Sequence, residues 1–134
     1  MSADVFYYSK GGNTEKIATA MAKALGVTPK DVATDLVRPV DTVFIGASVY
    51  AGRPAPEVSD FLKRNKDKIG KIVVFGSSAS GKSTWQKISA AGKDLGITVS
   101  DQYYSCPGHF LFMHKGRPNQ EDLDKAAKFA RENQ

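Results

Sequence analysis

Two stretches of this chain are apolar at almost every position. Residues 42–48 read Thr-Val-Phe-Ile-Gly-Ala-Ser, and residues 71–76 read Lys-Ile-Val-Val-Phe-Gly. A strand with one face in water alternates polar and apolar residues. A strand that is apolar on both faces must be covered on both, as in the middle of a parallel sheet with helices on either side. The intervening sequence supplies those helices. Residues 15–25 carry Ile17, Ala18, Met21, Ala24 and Leu25 at helical spacing, with Gly26 as a stop. Residues 54–65 place Val58, Phe61 and Leu62 on one face, and residues 83–95 form another helical stretch stopped by Gly96.

Further strands complete the alternation. Residues 3–8 are rich in β-branched and aromatic side chains, and residues 97–104 have the same character. A short second strand is expected at 32–36. The last helix has the clearest boundary: Asn119 is a capping residue, Glu121 and Asp122 favour the positive end of the helix dipole, and Leu123, Ala126, Ala127 and Ala130 form an apolar stripe beside Phe129. Strand–helix alternation over 134 residues predicts an α/β doubly wound sheet in one domain, residues 1–134.

In such sheets ligands lie beyond the carboxyl ends of the strands, where the strand order reverses. The loops after residues 8, 47 and 76 are therefore the places to look. The first reads Ser9-Lys10-Gly11-Gly12-Asn13-Thr14 and opens a helix. Backbone N–H groups and the helix dipole favour an anion there, and the glycines let the backbone approach it closely. Ser9, Asn13 and Thr14 add polar side chains. The bland alternative is a Gly-Gly turn capped by Asn or Thr.

The segment Val-Phe-Tyr-Tyr-Ser-Lys-Gly-Gly-Asn-Thr-Glu-Lys-Ile-Ala-Thr-Ala at residues 5–20 resembles the amino-terminal signature of flavodoxins, in which Ser/Thr, any residue, Ser/Thr, Gly, Asn and Thr follow one another. Ser9, Gly12, Asn13 and Thr14 match; Gly11 stands where the family has a hydroxyl residue. Residues 46–58 and 109–129 are also similar to family segments. The resemblance implies a flavodoxin-like fold, a five-stranded parallel sheet in order 2-1-3-4-5, and FMN as cofactor. It implies that Ser9, Lys10, Gly11, Gly12, Asn13 and Thr14 surround the phosphate. Ser48, Val49, Tyr50, Ala51 and Gly52 would meet the flavin ring, with Tyr50 stacked on it. Ser77, Ser78, Ala79, Ser80 and Gly81 would line its other side. Trp85 is assigned to the core or the helix surface.

Family resemblance further implies electron transfer through FMN to redox partner proteins, with no catalytic acid or base. A small FMN-dependent reductase and a flavin-holding subunit of a larger reductase are the alternatives. A competing signal is Gly76-Ser77-Ser78-Ala79-Ser80-Gly81-Lys82-Ser83, which fits the P-loop pattern after a strand and before a helix. Against it, no convincing strand ending in a magnesium-holding Asp follows, and the first loop would be left without a role.

Other functions are disfavoured by composition. The net charge of +5 comes from scattered lysines rather than a basic block, so no nucleic-acid partner is expected. The single cysteine, Cys106, excludes an intramolecular disulfide, and His109 and His114 have no third ligand nearby, so no metal site is expected. The amino-terminal residues lack the pattern of a secretory signal and no apolar run reaches a membrane span; a cytoplasmic location is expected.

Overall fold

Strand and helix alternate along the chain except between β2 and β3, which no helix separates: β1 (Ala3–Tyr8), α1 (Asn13–Leu25), β2 (Lys30–Asp31), β3 (Val40–Ala47), α2 (Pro56–Asn65), β4 (Ile69–Gly76), α3 (Gly81–Asp94), β5 (Thr98–Ser105) and α4 (Gln120–Asn133). The structure is a computed structural model and describes residues 2–8, 12–47, 56–76, 81–105 and 119–134. All five strands join one sheet in the order β2-β1-β3-β4-β5, and every pairing is parallel.

Residue alternation along the strands sends side chains to two separate cores. Phe6, Val43, Ile45, Ile72 and Val74 pack with Val58, Phe61 and Leu62 of α2 and Ile88 of α3. Val5, Phe44, Val73 and Phe75 pack on the opposite face with Ile17, Ala18, Met21 and Ala22 of α1 and Ala126 and Ala130 of α4. Both faces of β3 and β4 are thus covered, which is why their sequences lack alternation. Burial of each large side chain, such as Phe61 or Leu62 at 0% exposure, contributes about 1.5–3 kcal/mol. Helix α4 is closed by a capping box: the Asn119 side chain accepts from Asp122 N–H at 2.9 Å, and Asp122 Oδ2 accepts from Asn119 N–H at 2.9 Å.

The second strand differs from its expected place. It spans only Lys30–Asp31, not 32–36. Asp31 ends it by turning the chain: its carboxylate accepts from Ala33 N–H at 2.8 Å, and its carbonyl accepts from Thr34 N–H at 2.9 Å. Val32 and Leu36 are still buried, as plugs of the core rather than strand residues. Leu36 N–H donates to the Asn65 side chain at 2.9 Å, which replaces the ladder bond a strand would have given.

Candidate functional site

The carboxyl ends of β1, β3 and β4 lie side by side at one level of the sheet. Tyr8 is in register with Ala47, and Gly46 with Phe75, so the three strands finish together. At the usual spacing of about 4.8 Å between strands, the three ends span about 10 Å. Strand order reverses between β1 and β3, since β2 lies on one side of β1 and the later strands on the other. That makes this edge the switch-point crevice of a doubly wound sheet.

Three of the expected contact residues of the first loop are described. Gly12 is the residue before α1 and has φ of +84°, a left-handed conformation that a side chain rarely adopts. A Cβ at Gly12 would meet nothing within 4 Å among the described residues. Asn13 and Thr14 form the first two residues of α1, and Thr14 is fully buried. A helix that starts on glycine has no side-chain cap of its own at that position. A depression of about 430 Å³, lined by Gly12, Glu15, Lys16, Thr19 and Leu123, adjoins this start. The left-handed glycine and the helix amino terminus fit a phosphate, while the two charges that border the depression, Lys16 and Glu15, oppose one another.

Gly81, from the third loop, begins α3. Ser9, Lys10, Gly11, Ser48, Val49, Tyr50, Ala51, Gly52, Ser77, Ser78, Ala79 and Ser80 lie outside the described residues, as do Cys106, His109 and His114. Trp85 is committed elsewhere. Its ring stacks on Tyr103 with centroids 5.6 Å apart, and its indole N–H donates to the Ser100 carbonyl at 2.9 Å, so it ties α3 to the edge strand β5. No group of three or more metal-ligating side chains occurs among the described residues, and none of the described helices is long and apolar enough to cross a membrane.

One contact beside the turn has no counterpart in the sequence reading. Tyr7 points from β1 toward α1, and its hydroxyl donates to Glu15 Oε1 at 3.3 Å. Burial pushes the Tyr7 phenol upward from its ordinary value, and the negative charge and hydrogen bond of Glu15, with the charge of Asp31, push it the same way. The phenol is accordingly a donor throughout the neutral range. Residue alternation in 3–8 places Tyr7 on the same face as Val5, and that is the only trace of the contact in the sequence.

A flavodoxin-domain family model matches residues 5–95 of the chain. An uncharacterized protein of Methanocaldococcus jannaschii is 25% identical over 133 residues, covering 89% of this chain and 88% of the relative. Among solved structures, a flavodoxin from the domain Archaea superposes with a TM-score of 0.78 at 18% identity, covering 98% of this chain and 95% of that one. A flavoprotein from Lactobacillus acidophilus in complex with FMN gives a TM-score of 0.64 at 16% identity, covering 78% of this chain and 92% of the other.

Proposed function

Because the chain belongs to the flavodoxin domain family, whose cofactor is FMN, we propose that it is an electron carrier that passes electrons from a reductase to an acceptor enzyme. The whole chain, residues 1–134, acts as one domain in this reading, and it works in the cytoplasm. Bound FMN supplies the redox chemistry, and the protein supplies binding, orientation and electrostatics. The single observation that carries the assignment of the site is the turn into α1. Left-handed Gly12 and buried Thr14 stand at the switch point of the sheet, on the loop whose sequence resembles the flavodoxin signature.

Ser9, Lys10, Gly11, Gly12, Asn13 and Thr14 would hold the FMN phosphate. Residues 48–52 and 77–81 leave the two neighbouring strand ends and would flank the ring, with Tyr50 against one face. No side chain has to act as a general acid or base. The P-loop alternative has less support. Its strand is β4, one place in from the sheet edge, while the order reversal lies at β1 and β3, and its residues fall inside the flavodoxin-domain match.

Heat release and chromatography of the cofactor test the reading. FMN is expected, and Asn13→Ala combined with Thr14→Ala is expected to weaken its binding. FAD as the main species, or no affinity for added FMN, overturns it. A carrier reacts slowly with NAD(P)H alone and quickly once a flavodoxin reductase is added; rapid direct turnover of NAD(P)H with a small acceptor points to a reductase instead. Lys82→Ala is expected to leave FMN occupancy intact, and a magnesium–ATP hydrolysis lost on that change would favour the P-loop reading.

A further inference from the structure

Two helices of this protein carry an acidic residue at the same position, and they use it differently. In α4 the N-cap is Asn119 and the third residue after it is Asp122, whose carboxylate reaches back to the Asn119 N–H at 2.9 Å. In α1 the N-cap is Gly12 and the third residue after it is Glu15. A carboxylate at that position reaches back to an extended N-cap such as Asn119, at φ −98°. Gly12, left-handed at φ +84°, turns its N–H in another direction, so no capping box closes α1 and the Glu15 carboxylate is left to other partners. The Glu15 carboxylate accepts from the Tyr7 hydroxyl at 3.3 Å.

We propose that Tyr7 is a positioning residue that draws the Glu15 carboxylate away from the amino-terminal end of α1 and so keeps that end electrostatically suited to the FMN phosphate. The inference rests on the FMN reading above. Glu15 borders the same depression as Gly12, so a carboxylate released from Tyr7 has the helix start within its range. There it would repel a phosphate and compete with it for the positive end of the helix dipole. Tyr7 is well placed to act as the restraint. It is partly buried, packs against the core beneath α1 and α4, and keeps its proton because burial, Glu15 and Asp31 all disfavour the phenolate. The contact is longer than the 2.5–2.7 Å usual for a hydroxyl on a carboxylate, so the expected effect is modest.

The test compares two flavins that differ only in the phosphate. The FMN dissociation constant is read from the flavin fluorescence that appears on diluting the holoprotein, and the riboflavin constant from competition against bound FMN. Tyr7→Phe is expected to weaken FMN about three- to tenfold, in the range of charge effects at a helix end, and to leave riboflavin unchanged. The double variant Tyr7→Phe with Glu15→Gln is expected to regain the wild-type FMN constant, because no charge is left to misplace. Equal weakening of both flavins would mean that Tyr7 serves packing only and overturns the proposal, as would an unchanged FMN constant in Tyr7→Phe or a double variant without recovery. A wild-type protein that binds neither flavin overturns the FMN reading itself, and this inference with it.

Discussion

Gly46 lies on β3 one residue before the strand ends at the proposed flavin edge, and its neighbour in register on β4 is Phe75. The Phe75 ring covers the glycine so closely that a Cβ there would stand 2.1, 2.3 and 2.7 Å from three ring carbons. Such contacts are far inside van der Waals distance, so Gly46→Ala must move the ring or spread the strands. The ring has little room, since Phe75 is 0% exposed and packed among Val73, Phe44 and the helices α1 and α4. Overpacking of this kind costs about 1–3 kcal/mol, and the closed surroundings favour the upper end. For a domain of this size each kcal/mol lowers the melting temperature by roughly 3–4 °C, so Gly46→Ala should melt about 9–12 °C below wild type. The measurement is a urea or thermal unfolding curve at a fixed FMN concentration, since ligand binding shifts apparent stability. Adding Phe75→Leu removes the outer ring atoms. The double variant should therefore lose at least about 1 kcal/mol less than the sum of the single changes. A Gly46→Ala protein that melts within about 2 °C of wild type, or a strictly additive cycle, would refute the steric argument.

Asn65→Ala should cost about 1–3 kcal/mol, because it leaves the buried Leu36 N–H without an acceptor; a urea midpoint equal to wild type would count against this. The Asp35 carboxyl is held below its ordinary value of 3.8 chiefly by the Arg64 hydrogen bond, with help from Asn65. A lowered folded-state pKa means that Asp35 contributes stability above the unfolded value and loses it as pH falls through the folded one. The gap in stability between wild type and Asp35→Asn should therefore be constant from neutral pH down to about pH 5 and close below about pH 4. Acid titration of both proteins by circular dichroism checks this, and a gap that does not shrink as pH falls below about 4 would contradict it.

The legible parts of the fold are those fixed by short-range pattern. Apolar runs marked β3 and β4 because both faces of each strand are buried, and Asn119 marked the start of α4 because a cap acts on residues three positions away. The strand order came from family resemblance, since apolar pattern carries no information about which strands are neighbours. The second strand was misplaced because Val32 and Leu36 look like strand residues, while the groups that bend the chain there are polar. One of them, Asn65, lies twenty-nine residues from Leu36 and meets it only after folding. Strand β5 read as continuous, yet its pairing with β4 shifts register between Ile72 and Val74. There Ser100 Oγ accepts from Gln102 N–H at 3.1 Å and the Ser100 carbonyl accepts from Trp85. The turn into α1 was legible from Gly12, Asn13 and Thr14 because a glycine followed by a helix start is a local signal. Tyr7 and Glu15 were not, because one is a strand residue and the other a helix residue, and only the packing of α1 on β1 joins them.

Trp85 is the only tryptophan in the chain, and its ring is shared between α3 and β5 through the Tyr103 stack and the Ser100 bond. The protein therefore carries a built-in optical gauge of its own border. Emission excited at the red edge of indole absorption reports whether the outermost strand remains attached, while far-ultraviolet circular dichroism reports the sheet and helices as a whole. If the two signals change together during unfolding, the border and the centre come apart as one cooperative unit. If the emission changes first, the border opens on its own at lower free energy, and the partially opened form becomes observable without any added label.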